Sequence, residues 1–174
     1  FTGLNRFENN LAKFITKSIY ENGSLLSINY FLEMNDGNVL IGTESGIKVF
    51  NTNDESIRDF KTFFKSKENY FESLYIYSFY LDTDSCLWVG TRDSGLYIYD
   101  IKSDKVIDVS EELDIKKLNH AVVREMVCDE FGNFWVATNV GLCCINLKDN
   151  SYVFYNHDKK DKKLLVAMGK DVEG

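Results

Sequence analysis

The chain has 174 residues, of which 44% are hydrophobic, 27% charged and 14% aromatic, and its formal net charge is −7. Size and composition are those of one ordinary globular domain with its own core. The acidic balance excludes the broad basic face of a general nucleic-acid or anionic-membrane binder. No run reaches the roughly 20 apolar residues of a membrane-spanning helix, and no signal peptide is legible because Phe1 opens inside a patterned segment.

Residues 1–23 hold two strands, Gly3-Leu4-Asn5-Arg6-Phe7 and Leu11 to Ile15, which read as the end of a unit. Residues 24–70 open with a strand at Ile28, turn at Asn35-Asp36-Gly37-Asn38 and return through Val39-Leu40-Ile41-Gly42-Thr43. A third strand follows Gly46, from Ile47 to Phe50, and a fourth runs from Ile57 to Phe63. Residues 71–118 repeat this order: a strand at Ile76, a turn from Asp82, Leu87-Trp88-Val89-Gly90-Thr91, Leu96 to Tyr99 after Gly95, and Val106 to Val109. Residues 119–160 repeat it again: Val123, a turn from Asp129, Phe134-Trp135-Val136-Ala137-Thr138, Leu142 to Ile145 after Gly141, and Tyr152 to Tyr155. In residues 161–174, Leu165, Met168, Asp171 and Gly174 fall on the columns of a further first strand and its turn.

Gly90 lies 48 residues after Gly42, and Ala137 lies 47 after Gly90. A fixed period of this length is the signature of a repeat architecture, and four short antiparallel strands per repeat make the blade of a β-propeller. The predicted fold is therefore all-β: a fragment of a β-propeller with about three four-stranded blades and partial blades at both ends. The absence of proline fits a chain that spends its amides on sheet ladders.

These phrases resemble the two-component regulator propeller repeat, roughly D-x-x-G-x-L-W-I-G-T-x-x-G-L-x-x-Y-D. Asp129 to Ile145 follows that pattern, and Asp82 to Asp100 follows it with one extra loop residue. Asn35 to Phe50 departs from it, with Met34 in place of Asp and Leu40 in place of Trp. The resemblance implies the extracytoplasmic sensor region of a bacterial membrane receptor, with a histidine kinase or diguanylate cyclase output that this chain does not contain. It also implies a small-molecule, oligosaccharide or peptide ligand.

The Trp88 and Trp135 column reads as core between blades. Gly42 and Gly90 permit close strand packing, and Ala137 is a tolerable substitute. Thr43, Thr91 and Thr138 end the second strand and bond the turn after it. Asp82-Thr83-Asp84 reads as a β-turn and not as a calcium loop, since a strand cannot wrap an ion. The four cysteines form no C-x-x-C pair; Cys143 and Cys144 are neighbours on one strand and point to opposite faces, and Cys86 is placed in a turn. His120 and His157 lack metal-ligand spacing, and no nucleophile elbow, P-loop or dinucleotide fingerprint occurs. No catalytic residue, metal or cofactor is assigned. The basic run Lys159-Lys160-Asp161-Lys162-Lys163 reads as a solvated loop.

Chemistry varies at one end of the blades while the framework columns stay alike. Asn29, Tyr77 and Arg124 stand at the start of the first strands; Glu44, Arg92, Asp93 and Asn139 stand in the loops between second and third strands. These seven residues form the predicted ligand face, because loops on a regular scaffold carry function. The alternative is a propeller scaffold for protein–protein interaction. The strand edges at Gly3 and Leu165 predict a homodimer through open propeller edges.

Overall fold

The computed structural model describes residues 4–8, 13–83 and 85–156. It divides into two compact units that meet in sequence at Ile76 and Tyr77. The expected start of a further blade at 161–174, the run Lys159–Lys163 and His157 lie outside the described residues.

The first unit begins with two hairpins, β1 (Leu4–Glu8) with β2 (Lys13–Lys17) and β3 (Tyr20–Glu21) with β4 (Ser24–Leu25). A four-stranded antiparallel meander follows: β5 (Ile28–Glu33), β6 (Asn38–Thr43), β7 (Gly46–Asn51) and β8 (Ile57–Asp59). Ile19, Leu26, Ile28 and Ile41 form a buried cluster, with Val39, Phe50 and Ile57 packed against it. The fourth strand is shorter than the alternation predicts, because residues 60–63 enter helix α1 (Phe60–Phe64). That turn buries Phe60 edge-on against Phe71 at 5.0 Å, and Lys65 ends it in the left-handed region at φ 53°.

The next meander is β9 (Ile76–Leu81), β10 (Cys86–Thr91), β11 (Leu96–Asp100) and β12 (Lys105–Asp108). Cys86 therefore opens a strand and does not occupy the turn. Helix α2 (Val109–Glu112) takes over at Val109, the predicted last residue of the strand. Its cause is local: the Asp108 carboxylate accepts from the Ser110 and Glu111 amides at 2.8 and 3.4 Å, capping donors that the first turn leaves open. The last meander is β13 (Val123–Cys128), β14 (Asn133–Thr138), β15 (Gly141–Asn146) and β16 (Tyr152–Asn156). On β15 Cys143 is buried while Cys144 is half-buried, as alternation requires.

In the second unit the two blades pack through a cluster that includes Trp88, Leu96, Leu118, Val123, Met126 and Phe134. The Trp88 and Phe134 ring centroids are 4.2 Å apart. Phe134 and Trp135 are successive strand residues, so they face opposite ways; Phe134 turns towards Trp88 and Trp135 away from it. Trp88 is 5% exposed. Trp135, placed in the same core by register, is only half-buried. Its stacking partner is Tyr155, at 6.1 Å and 23°, a residue itself 51% exposed.

Close packing also explains the glycine column. A Cβ at Gly90 would lie 2.2 Å from Ser78 Oγ and 2.7 Å from Val123 Cγ1, and one at Gly42 would lie 2.9 Å from Ile76 Cγ2. Ala137 keeps its methyl fully buried in the third copy.

Candidate functional site

Three identical devices shape one end of the blades. Thr43, Thr91 and Thr138 each donate a hydroxyl to the carbonyl of Gly46, Gly95 and Gly141, at 2.9, 2.8 and 2.7 Å. The same hydroxyls accept from the amides of Ser45, Ser94 and Val140 at 3.0, 3.0 and 3.1 Å. All three threonines are buried, so each loop tip is fixed in shape whatever residue it carries. Gly95 closes its loop at φ 80°, where a Cβ would also strike Leu118 O at 2.5 Å.

The variable residues are mounted on that frame. Glu44 Oε1 accepts from the Ser27 amide at 3.4 Å, and Asn139 Oδ1 accepts from the Val122 amide at 2.9 Å. Ser27 and Val122 directly precede the first strands of their blades, so these two loop residues latch the loop to strand one. Arg92, a donor, stands at the corresponding place in the remaining blade. There the loop is one residue longer, and Asp93 O lies 3.2 Å from His120 Nδ1.

The first strands carry the other three predicted residues. In β5 the pairing jumps from Ile28↔Thr43 to Tyr30↔Gly42, and in β13 from Val123↔Thr138 to Glu125↔Ala137. Asn29 and Arg124 are therefore the extra residues of β-bulges in the same column. A bulge removes its residue from the alternation and re-aims the side chain. Asn29 Nδ2 donates to Ile76 O at 3.1 Å. Arg124 lays its guanidinium over the Tyr77 ring, 5.9 Å from the centroid. Within the second unit the structure thus brings Tyr77 and Arg124 together, with Asn139 bonded two residues away at Val122. Asn29 and Glu44 sit on the first unit.

The turns at the other end of the strands have a different role. Asp129 Oδ1 accepts from the Phe131 and Asn133 amides at 3.0 and 2.8 Å, and its Oδ2 accepts from Trp135 Nε1 at 2.9 Å. Asp82 repeats the arrangement, accepting from the Cys86 amide at 2.8 Å and from Trp88 Nε1 at 3.3 Å. Led by the Trp135 hydrogen bond, these donors hold the Asp129 carboxyl down at about 2. The joint departure of the first blade, Met34 with Leu40, follows: where no indole needs an acceptor, no carboxylate is required. The turn reading of Asp82 thus has a specific partner.

Sequence reasoning missed one cluster. Lys48, on β7 between Ile47 and Val49, is buried and reaches Asp59 at 2.7 Å and also Glu21. Burial pulls its ammonium down, but bonds and charge from Asp59 and Glu21 outweigh this and raise its pKa above the ordinary lysine value. Lys48 and Asp59 line a cleft of about 380 Å³ together with Tyr20, Ile57, Arg58 and Thr62. Lys48 ties the β3–β4 hairpin to the blade, one ammonium serving two carboxylates. A lysine interrupting an apolar strand was the available signal.

The family model described as two component regulator propeller matches residues 70–93. No curated protein sequence matches the chain. Among solved structures, the chain is similar to the extracellular domain of BT4673 from B. thetaiotaomicron, described as a one component system, with 17% identity and a TM-score of 0.67 over 94% of this chain and 21% of that one. It is similar at 20% identity and a TM-score of 0.66 to the extracellular domain of BT3049 from the same organism, described as a hybrid two component system, over 92% and 21% of the two chains. It is also similar to virginiamycin B lyase from Staphylococcus aureus, at 10% identity and a TM-score of 0.59, over 89% and 48%. At these identities the likeness is one of fold. The chain is built of β-propeller blades and spans about a fifth of the two B. thetaiotaomicron chains. No helix among the described residues is long and apolar enough to cross a membrane.

Proposed function

We propose that the chain is a non-catalytic, ligand-sensing propeller region, held outside the cytoplasm as part of a bacterial signal-transduction receptor. Its output, a histidine kinase or diguanylate cyclase, lies elsewhere in the full-length protein. What supports the reading is a contrast at one end of the blades. Three buried threonine hydroxyls pin three loops by the same pair of bonds, while the residues those loops and the first strands display differ in charge and shape. A rigid frame with divergent display is how a binding face is built. The two-component repeat at residues 70–93 supplies the sensory context.

Sensing requires the ligand to prefer one arrangement of the receptor over another, and the differential affinity sets the signal. The ligand class is a small molecule, an oligosaccharide or a peptide, and a homodimer through open propeller edges is the proposed assembly. The test is calorimetric titration of the protein with libraries of oligosaccharides and short peptides, repeated with Arg92→Ala and Arg124→Ala. Binding that both substitutions weaken while circular dichroism stays unchanged would support the reading. A full-length protein that ends after its last blade, with no membrane segment and no output domain, would sink it in favour of an interaction scaffold.

A further inference from the structure

The Arg124 guanidinium is incompletely served. Its Nε is buried without a hydrogen-bond partner among the described residues, and none of their carboxylates forms an ion pair with it. The neighbouring carboxylate, Glu125, turns an oxygen back to the Met126 amide at 3.3 Å. Arg58, by contrast, pairs with Asp54 at 3.4 Å. Arg124 has instead the face of Tyr77. A ring quadrupole attracts a cation but accepts no N–H bond in the guanidinium plane. No described residue hydrogen-bonds the two terminal nitrogens either, so the outer edge of the fork keeps its donors while the ring supports its face.

The position is also deliberate in its backbone. Arg124 is the extra residue of the β13 bulge, so it is free of the alternation that governs Val123 and Met126, both buried. It stands beside the Asn139 latch on Val122. In a chain of net charge −7, an arginine without a carboxylate partner among the described residues is a local exception to the prevailing field.

We infer that Tyr77 and Arg124 form an oxyanion-binding site that receives a carboxylate or sulfate group of the ligand. The inference rests on the ligand-face reading above and adds the ligand's chemical class. The Tyr77 ring backs the guanidinium from one side, and the oxyanion bonds the N–H groups of its two terminal nitrogens edge-on, the bidentate geometry that arginine offers and lysine does not.

The test is the Nε–H resonance of Arg124 in proton–nitrogen correlation spectra of the whole chain, titrated separately with sodium acetate, sodium sulfate and neutral acetamide at ionic strength fixed with chloride. We expect a saturable shift with acetate or sulfate, whichever group the site fits, and none with acetamide. Arg124→Gln should abolish the response. Arg124→Lys, which keeps the charge and the fold, should weaken acetate at least fivefold, and Tyr77→Leu at least threefold. A response equal for acetate and acetamide, or one that survives Arg124→Gln, overturns the inference. So does a neutral oligosaccharide that binds at Arg124 and displaces no acetate; that result would leave the sensing reading standing. Saturable acetate binding with no larger ligand found would support the site while counting against the sensor.

Discussion

Replacing Gly90 by alanine tests the packing on which the blade alignment depends. The added methyl would meet Ser78 Oγ at 2.2 Å, Val123 Cγ1 at 2.7 Å and Val123 Cβ at 3.0 Å. Comfortable carbon contacts lie near 3.5–4.0 Å, so β9 and β13 must both yield. Overpacking of this kind costs about 1–3 kcal/mol. Stiffening the unfolded chain returns about 0.4–1 kcal/mol. The expected net loss is therefore about 1–2 kcal/mol, read as a lower urea midpoint at unchanged slope. Ser78→Ala removes the shortest clash but forfeits the hydroxyl's bond to Val123 O at 3.3 Å, worth about 0.5–1.5 kcal/mol by itself. If the clash is real, the double variant should be less destabilised than the sum of the two singles by more than about 0.5 kcal/mol. Full stability in Gly90→Ala, or strict additivity in the cycle, would refute the reasoning.

Other outcomes follow from the same contacts. Trp88→Ala should cost about 3–5 kcal/mol, the range for a buried large aromatic, and Trp135→Ala distinctly less, because its ring is half-buried and covered by Tyr155; equal losses in chemical denaturation would contradict the packing. The Asp129 carboxyl is held at about 2 in the folded protein, against an ordinary 3.8. A depressed acid contributes stability above its unfolded pKa and loses it as pH falls through the folded one, so urea midpoints should decline between about pH 4 and pH 2, and Asp129→Asn should flatten that slope. Light scattering should show edge-to-edge dimers at high protein concentration; a monomer throughout a wide concentration range would count against the proposed assembly.

The period and the framework were legible because they are local and repeated. Alternation marked the strands, and the Thr-to-Gly loop recurs at short range, so three copies of one pattern located three blades. Helix α2 carries a sequence signal as well: Asp108 followed three residues later by Glu111 is a helix-start pattern at the end of an alternating segment. Helix α1 has no such signal, since Asp59 is taken up by Lys48 and the burial of Phe60 against Phe71 decides the local structure. The Lys48 cluster depends on Glu21, Lys48 and Asp59 meeting from three separate strands, which spacing does not announce. The bulges at Asn29 and Arg124 were hidden for another reason. One extra residue on one strand leaves the repeat columns aligned when, as at Asn29 and Arg124, it falls in the same column.

Those bulges separate two kinds of inheritance in the sequence. Ordinary strand positions are constrained from both sides, because a change of character at one residue must suit the face to which the pleat assigns it. A bulged residue answers to neither face. Exchanges of polar, aromatic or charged side chains at positions 29 and 124 should therefore disturb Ile28, Val123 and Met126 less than exchanges at neighbouring strand positions. On the proposed ligand face, recognition would then drift or be redesigned one blade at a time, at the cost of a single codon.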